Sequence, residues 1–144
     1  MRRAALAYAL LALSTGAFAA HAAQDIGDER EATMKAIGRS FGEINRMNRG
    51  QDAYDGAKAG AALEDIAEEA AHFGTLFEDP KTADKDALPA IWENKADFSQ
   101  RVAKLSADAK AAIPGAGADE AAFKTAFQTV APNCGGCHKL YRGE

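Results

Sequence analysis

Two cysteines and a histidine close to the end of the sequence are the residues best equipped for chemistry. They stand together in Asn133-Cys134-Gly135-Gly136-Cys137-His138-Lys139-Leu140-Tyr141-Arg142, and Cys134 and Cys137 are the only cysteines among 144 residues. Cys-x-x-Cys-His is the attachment pattern of a c-type haem. On one helical turn the two thiols can reach two vinyl groups of a porphyrin and form thioethers. The adjacent imidazole can then turn toward the iron.

Three other uses of the residues compete. A redox-active dithiol places Cys-x-x-Cys at the start of a helix that follows a strand, and no strand pattern precedes this pair. A zinc site normally takes four ligands, and His72 is the only other nitrogen donor once a leader is removed. A bridge between Cys134 and Cys137 would close a very small loop and add little stability. It would leave His138 unexplained.

The start of the chain says where such chemistry would occur. Arg2 and Arg3 precede an alanine- and leucine-rich run, and Ala20-His21-Ala22 offers a small-x-small site, the pattern of a secretory signal peptide. We expect residues 1–22 to be removed after Ala22, leaving one domain, 23–144, in the periplasm. The apolar run is interrupted by Ser14, Thr15 and Gly16, too short for a span of about 20 residues, so no membrane insertion is expected.

The whole chain carries 17 basic and 21 acidic side chains. Removal of Arg2 and Arg3 leaves 15 against 21, a formal charge of −6. An acidic chain argues against nucleic acid and anionic membranes as partners. It favours a basic surface on a protein partner and salt-sensitive association.

The elements that must position the motif read as helices, because an apolar three-four spacing recurs four times. Arg30, Met34, Ile37, Phe41, Ile44 and Asn48 share one face of a helix expected from about Gly27 to Asn48, with Met47 off that stripe. Ala59, Leu63, Ile66, Ala70 and Phe73 share a face of the second, with Asp52 as its cap and Gly74 as its stop. Residues 74–88 form a loop long enough to cover something. A third helix is expected from Pro89, presenting Ile91, Phe98, Val102, Leu105, Ala109 and Ala112 until Pro114-Gly115-Ala116-Gly117-Ala118 ends it. The fourth starts at the cap Asp119 and presents Phe123, Phe127, Val130, Cys134, Cys137 and Tyr141. Pro132 predicts a break in it near Ala131. The simplest assembly is all-α, an antiparallel up-down-up-down four-helix bundle. Its alanine-rich faces leave room for a bulky group between the helices.

Beyond the haem motif, the chain resembles the class II c-type cytochromes, the cytochrome c' family, including its low-spin, methionine-ligated relatives. The resemblance is carried by Glu29-Arg-Glu-Ala-Thr-Met-Lys-Ala-Ile-Gly-Arg-Ser-Phe-Gly42, Ala53-Tyr-Asp55, Ala90-Ile-Trp-Glu-Asn-Lys-Ala-Asp-Phe98 and Cys134 to Arg142. It implies one covalent haem c between the helices, with His138 as proximal ligand. It also implies that Arg30 pairs with a haem propionate, that Arg142 lies near the proximal histidine, and that Met34 occupies the distal position.

Two functions follow from the occupant of the sixth coordination place. If Met34 ligates the iron, the protein suits one-electron transfer to redox partner proteins. If Met34 only packs the distal pocket, small gases such as nitric oxide or carbon monoxide can bind. His72, at the end of the second helix, reads as a surface residue, and Met47 as ordinary packing. Trp92, Phe73 and Phe77 are candidate pocket walls, and the Tyr54 hydroxyl can reach a neighbouring helix end. No acid/base pair or activated nucleophile points to an enzyme. The family resemblance also permits a homodimer through the first two helices.

Overall fold

The structure is a computed structural model that describes residues 4–82 and 86–143, and for 4–24 and 81 the backbone alone. Six helices make four columns: α1 (Ala4–Asn48), α2 (Gly56–Gly74), α3 (Ala90–Glu93) continued by α4 (Lys95–Ala118), and α5 (Glu120–Val130) continued by α6 (Pro132–Tyr141). α1 packs on α2, α2 on α4 and α4 on α5, and α1 meets α5. The expected up-down-up-down bundle is the observed one. Among the described residues no helix is long and apolar enough to cross a membrane.

The first helix starts well before Gly27, because the alanine- and leucine-rich run preceding it has high helix propensity and is continuous with it from Ala4. The expected leader, 1–22, lies outside the residues whose side chains are described. At the other end, Gly50 turns the chain with a φ of 68°, a conformation glycine adopts without steric cost.

Asp55, and not Asp52, caps α2. Its backbone is extended and its Oδ1 accepts from the amides of Ala57 and Lys58, both at 3.1 Å. Asp52 instead takes the guanidinium of Arg46 at 2.8 Å, closing the turn before the helix.

Residues 114–118 do not end the third column. Pro114 lies inside α4, which continues to Ala118. Tertiary contacts hold this last turn: Ala116 is fully buried, and its carbonyl accepts the Tyr54 hydroxyl at 2.7 Å, the interhelical bond expected of Tyr54. Gly56 approaches Gly117 so closely that an added Cβ would meet the Gly117 carbonyl oxygen at 3.1 Å. The column breaks instead at Asn94, whose φ of −123° and ψ of 41° separate α3 from α4.

In the fourth column Asp119 caps α5, accepting from Ala122 N at 2.9 Å. The expected break falls at Ala131, and Pro132 opens α6, where its missing N–H costs nothing.

The interior divides into two clusters. Along the shaft lie Ile37, Ile44, Met47, Leu63, Ile66, Phe123, Phe127 and Val130 with seven alanines, and Met34 and Phe41 pack against them half-buried. Met47 is therefore a core residue and not off the stripe: three residues beyond Ile44, it follows the true helical period of 3.6. At one end Leu76, Phe77, Ala87, Ile91, Phe98, Val102 and Tyr141 form a second, aromatic cluster.

Candidate haem-attachment site

α6 is ten residues long and carries the whole Cys-x-x-Cys-His motif. Cys134 and Cys137 are free thiols, half-buried, three residues apart on one helix. Burial pushes both thiols above their ordinary pKa; for Cys137 the neighbouring Arg101 cation partly opposes this. The His138 ring lies on the exposed side of α6, and partial desolvation, with the nearby Arg142 cation, lowers its pKa. Two free thiols three residues apart on one helix with an imidazole next to the second are the donor set that covalent haem attachment uses, so these residues fit the group.

A helix this short is marginal alone, and one face of α4 holds it. Asp97, Arg101 and Asp108, spaced by four and seven residues, all point at α6. The Tyr141 hydroxyl donates to Asp97 Oδ2 at 2.6 Å, and Arg101 Nε donates to the same oxygen at 2.6 Å. Arg101 Nη1 also donates to the Gly136 carbonyl between the cysteines, at 3.3 Å. Asn133 Nδ2, next to Cys134, donates to Asp108 Oδ2 at 2.8 Å. These bonds hold both carboxyls below their ordinary range: Arg101 and then Tyr141 act on Asp97, and Lys104 and then Asn133 on Asp108. Sequence reading missed Asp97, Arg101, Asp108 and Asn133. Their spacing on α4 was the available signal, but it reads equally well as a solvated face.

Arg142 ends α6. It forms an antiparallel bridge with Ala87, and the Tyr141 carbonyl and Gly143 amide bond Leu88 N and the Asp86 carbonyl, each at 3.3 Å. The segment between α2 and α3 is thus a strap pinned to the C-terminal residues. It contains two short turns, Thr75–Phe77 and Pro80–Thr82.

Arg30 pins the same strap to α1. It is only 4% exposed, and its guanidinium donates to the Leu76 carbonyl at 3.0 and 2.7 Å, to the Thr82 carbonyl at 2.6 Å and to Thr82 Oγ1 at 2.6 Å. It also lies 4.3 Å from the Phe77 ring centroid and 5.4 Å from that of Trp92, within the range of cation–π attraction. Carbonyls and aromatic faces are among the partners of this buried charge, which the family resemblance also pairs with a haem propionate. Trp92 and Lys95 donate to one acceptor, the Phe77 carbonyl, at 2.9 and 2.7 Å.

The remaining candidates lie apart from this network. Met34 sits one turn after Arg30, half-buried against the shaft core. His72 is exposed and its Nε2 lies 3.0 Å from Glu29 Oε1, the surface role expected of it. Among the described residues no group of three or more His, Cys, Asp or Glu side chains could hold a metal ion. The zinc reading therefore has no fourth or third partner there. The dithiol reading has no strand before the motif in the described residues, where the sole β feature is the Ala87–Arg142 bridge.

Known proteins resemble this chain in sequence and fold. Cytochrome c-556 of Agrobacterium tumefaciens is 39% identical over 115 residues, covering 80% of this chain and 94% of the relative. The structure of cytochrome c' from Rhodopseudomonas palustris superposes with a TM-score of 0.77 at 34% identity, covering 83% of this chain and 97% of that one. A nitric oxide complex of a cytochrome c prime variant from Alcaligenes xylosoxidans gives a TM-score of 0.74 at 27% identity, covering 85% and 97%. The Cytochrome C' family profile matches residues 25–142, a span that takes in Arg30, Met34, the strap and the whole attachment helix, and the chain belongs to that family.

Proposed function

We propose that this chain is a periplasmic mono-haem cytochrome that carries single electrons between partner proteins. Family membership brings one covalent haem c, which when bound supplies a one-electron iron couple. Cys134 and Cys137 would hold the group through two thioethers, each formed by addition of an S–H across a vinyl group. His138 would offer a ring nitrogen to the iron. Met34 would offer its thioether from α1 to the same iron, and Arg142 would keep a positive charge beside His138. Arg30 reaches a propionate in this reading only if it keeps or exchanges some of its bonds to the strap.

The observation that carries the proposal is the pair of free, half-buried thiols beside an unpaired imidazole on a helix fixed by α4. The family's relatives are cytochromes, and we read this chain likewise as a carrier. The leader pattern supports export.

A second reading has its own support. Met34 packs against an apolar, half-buried surface, where a methionine serves equally well as filler, and the Alcaligenes relative was solved with nitric oxide. If Met34 only packs, the protein binds or sequesters small gases.

Optical spectra of the matured protein, oxidised, reduced and reduced with carbon monoxide, separate the two when recorded beside Met34→Ala. A low-spin spectrum unmoved by carbon monoxide and converted to high-spin by the substitution identifies a carrier ligated by Met34. A high-spin spectrum that carbon monoxide shifts, with no change of spin state in the variant, identifies the gas binder.

A further inference from the structure

Charges on α4 meet the attachment helix on either side of His138 in the sequence. Arg101 brings its cation to the main chain before it: Nη1 donates to the Gly136 carbonyl, between the two cysteines, at 3.3 Å, and a Cβ on Gly136 would meet the same nitrogen at 3.7 Å. Asp97 brings its anion to the residues after it. The Tyr141 hydroxyl, three residues beyond His138, donates to Asp97 Oδ2 at 2.6 Å. Arg101 Nε donates to that oxygen at 2.6 Å as well, so one ion pair spans the motif.

A neutral donor would serve the Gly136 carbonyl as well, and Asn133 and Tyr141 already anchor the two ends of the ten-residue helix. What the guanidinium adds is a charge that persists at every ordinary pH. Lys104, one turn further along α4, differs. It pairs with Asp108, but among the described residues its own ammonium makes no bond to α6, and its side chain is 60% exposed against 38% for Arg101.

A charge held against the attachment motif acts on whatever the cysteines hold. Reducing iron(III) to iron(II) adds one electron and removes one unit of positive charge, so a fixed cation nearby favours the reduced form and a fixed anion the oxidised one. The two charges do not cancel at such a group, because they meet the motif at different places.

We propose that Arg101 and Asp97 set the reduction potential of the haem attached to α6, Arg101 raising it and Asp97 lowering it. Neither residue touches the iron; each acts through its field. The proposal rests on haem attachment at Cys134 and Cys137 and not on the choice between carrier and gas binder, since the iron couple is common to both.

The test is potentiometric titration of the haem-loaded protein at low salt, for Arg101→Gln, Asp97→Asn, the double variant and Lys104→Gln. Arg101→Gln should lower the potential and Asp97→Asn raise it, each by about threefold in the iron equilibrium, or about 28 mV at about 59 mV per tenfold for one electron. The double variant should fall between the two, Lys104→Gln should shift the potential less than Arg101→Gln, and Arg101→Lys, which keeps the charge, should restore most of the loss. In about 1 M salt, where the screening length is about 3 Å, every shift should shrink. A merely structural role predicts otherwise: loosening α6 admits water to the haem, and both potentials fall together at any salt. Shifts of one sign, no shift, or shifts that salt leaves untouched would overturn the proposal. If Arg101→Gln takes up no haem, Asp97→Asn decides alone, because asparagine keeps the shape and the acceptor oxygen; a fall or no change there overturns it. A wild-type chain whose mass shows no covalent haem would remove the attachment reading and the proposal with it, whereas opposite shifts in a protein that proves to bind gases would leave the proposal standing and the carrier reading lost.

Discussion

Along the shaft, α1, α2, α4 and α5 meet through Ile37, Ile44, Leu63, Ile66 and a series of alanines. At the end that carries α6, the contacts are rings: Phe77 meets Phe98 at 4.7 Å and 63°, Phe98 meets Tyr141 at 5.3 Å and 82°, and Phe73 meets Phe77 at 4.8 Å and 67°. Edge-to-face pairs add directional preference to burial, whereas the shaft's ring pairs, such as Phe41 on Phe127 and Tyr54 on Phe123, are stacked or tilted and its alanines pack without selecting an orientation. The shaft sets the helix spacing, and the aromatic end sets where a short helix with two thiols must lie. Polar anchors follow the same division: Arg30, Asp97, Arg101, Trp92 and Lys95 all serve the aromatic end.

Large-to-small substitution is the strongest way to break this contrast. Phe98→Ala and Ile66→Ala should each destabilise by about 3 to 5 kcal/mol in urea unfolding, the usual cost of emptying a buried site. Only Phe98→Ala should also speed hydrogen exchange in α6 and lower the yield of covalent haem seen by mass spectrometry, because Phe98 touches Tyr141. Equal loss of haem in both would mean that α6 depends on the whole bundle.

A smaller effect is expected from Arg30→Met. The substitution leaves the Leu76 and Thr82 carbonyls without their charged donor, at a cost of about 2 to 3 kcal/mol for hydrogen bonds to a charged group. Limited proteolysis should then cut the strap before the shaft. Cleavage first within α1 or α2 would place the role of Arg30 in the shaft instead.

Acid gives the mildest perturbation, and its sign is fixed. Asp97 and Asp108 have folded pKa values below the ordinary 3.8, so the unfolded chain binds protons first as pH falls. Their stabilisation is complete above that ordinary value and is lost as pH drops through the folded values. Urea midpoints should therefore fall below about pH 4, and Asp97→Asn with Asp108→Asn should flatten that part of the profile. An unchanged profile in the double variant would assign the acid sensitivity to carboxylates elsewhere.

The sequence already shows much of this, and the reasons for the remainder are physical. Helical period and capping chemistry are local, so the four columns, the Asp119 cap and the break before Pro132 are legible in the residues themselves. The cap of α2 is not, because Asp52 and Asp55 are chemically alike and the choice depends on Arg46 claiming one of them. Residues 114–118 carry every local signal of a stop, yet Tyr54 and the close approach of Gly56 hold them helical from another column. The attachment motif is legible because its chemistry demands fixed spacing. The anchors on α4 are not, since an acid and an arginine four residues apart are equally at home on a solvated surface. The carbonyls and ring faces around Arg30 are not legible either, because a sequence cannot display what a distant strap brings to a buried guanidinium.

The bridge between Ala87 and Arg142 bears on the order in which the molecule assembles. α1 and α2, and α4 and α5, meet through short connections, while the strap and the final helix are brought together from dozens of residues apart. Closing a long loop costs more entropy and slows the contacts that depend on it. α6 is therefore expected to settle late, after the shaft has formed. Until it does, Cys134 and Cys137 are presented on a mobile helix, and the attachment chemistry has its widest access to them in that interval.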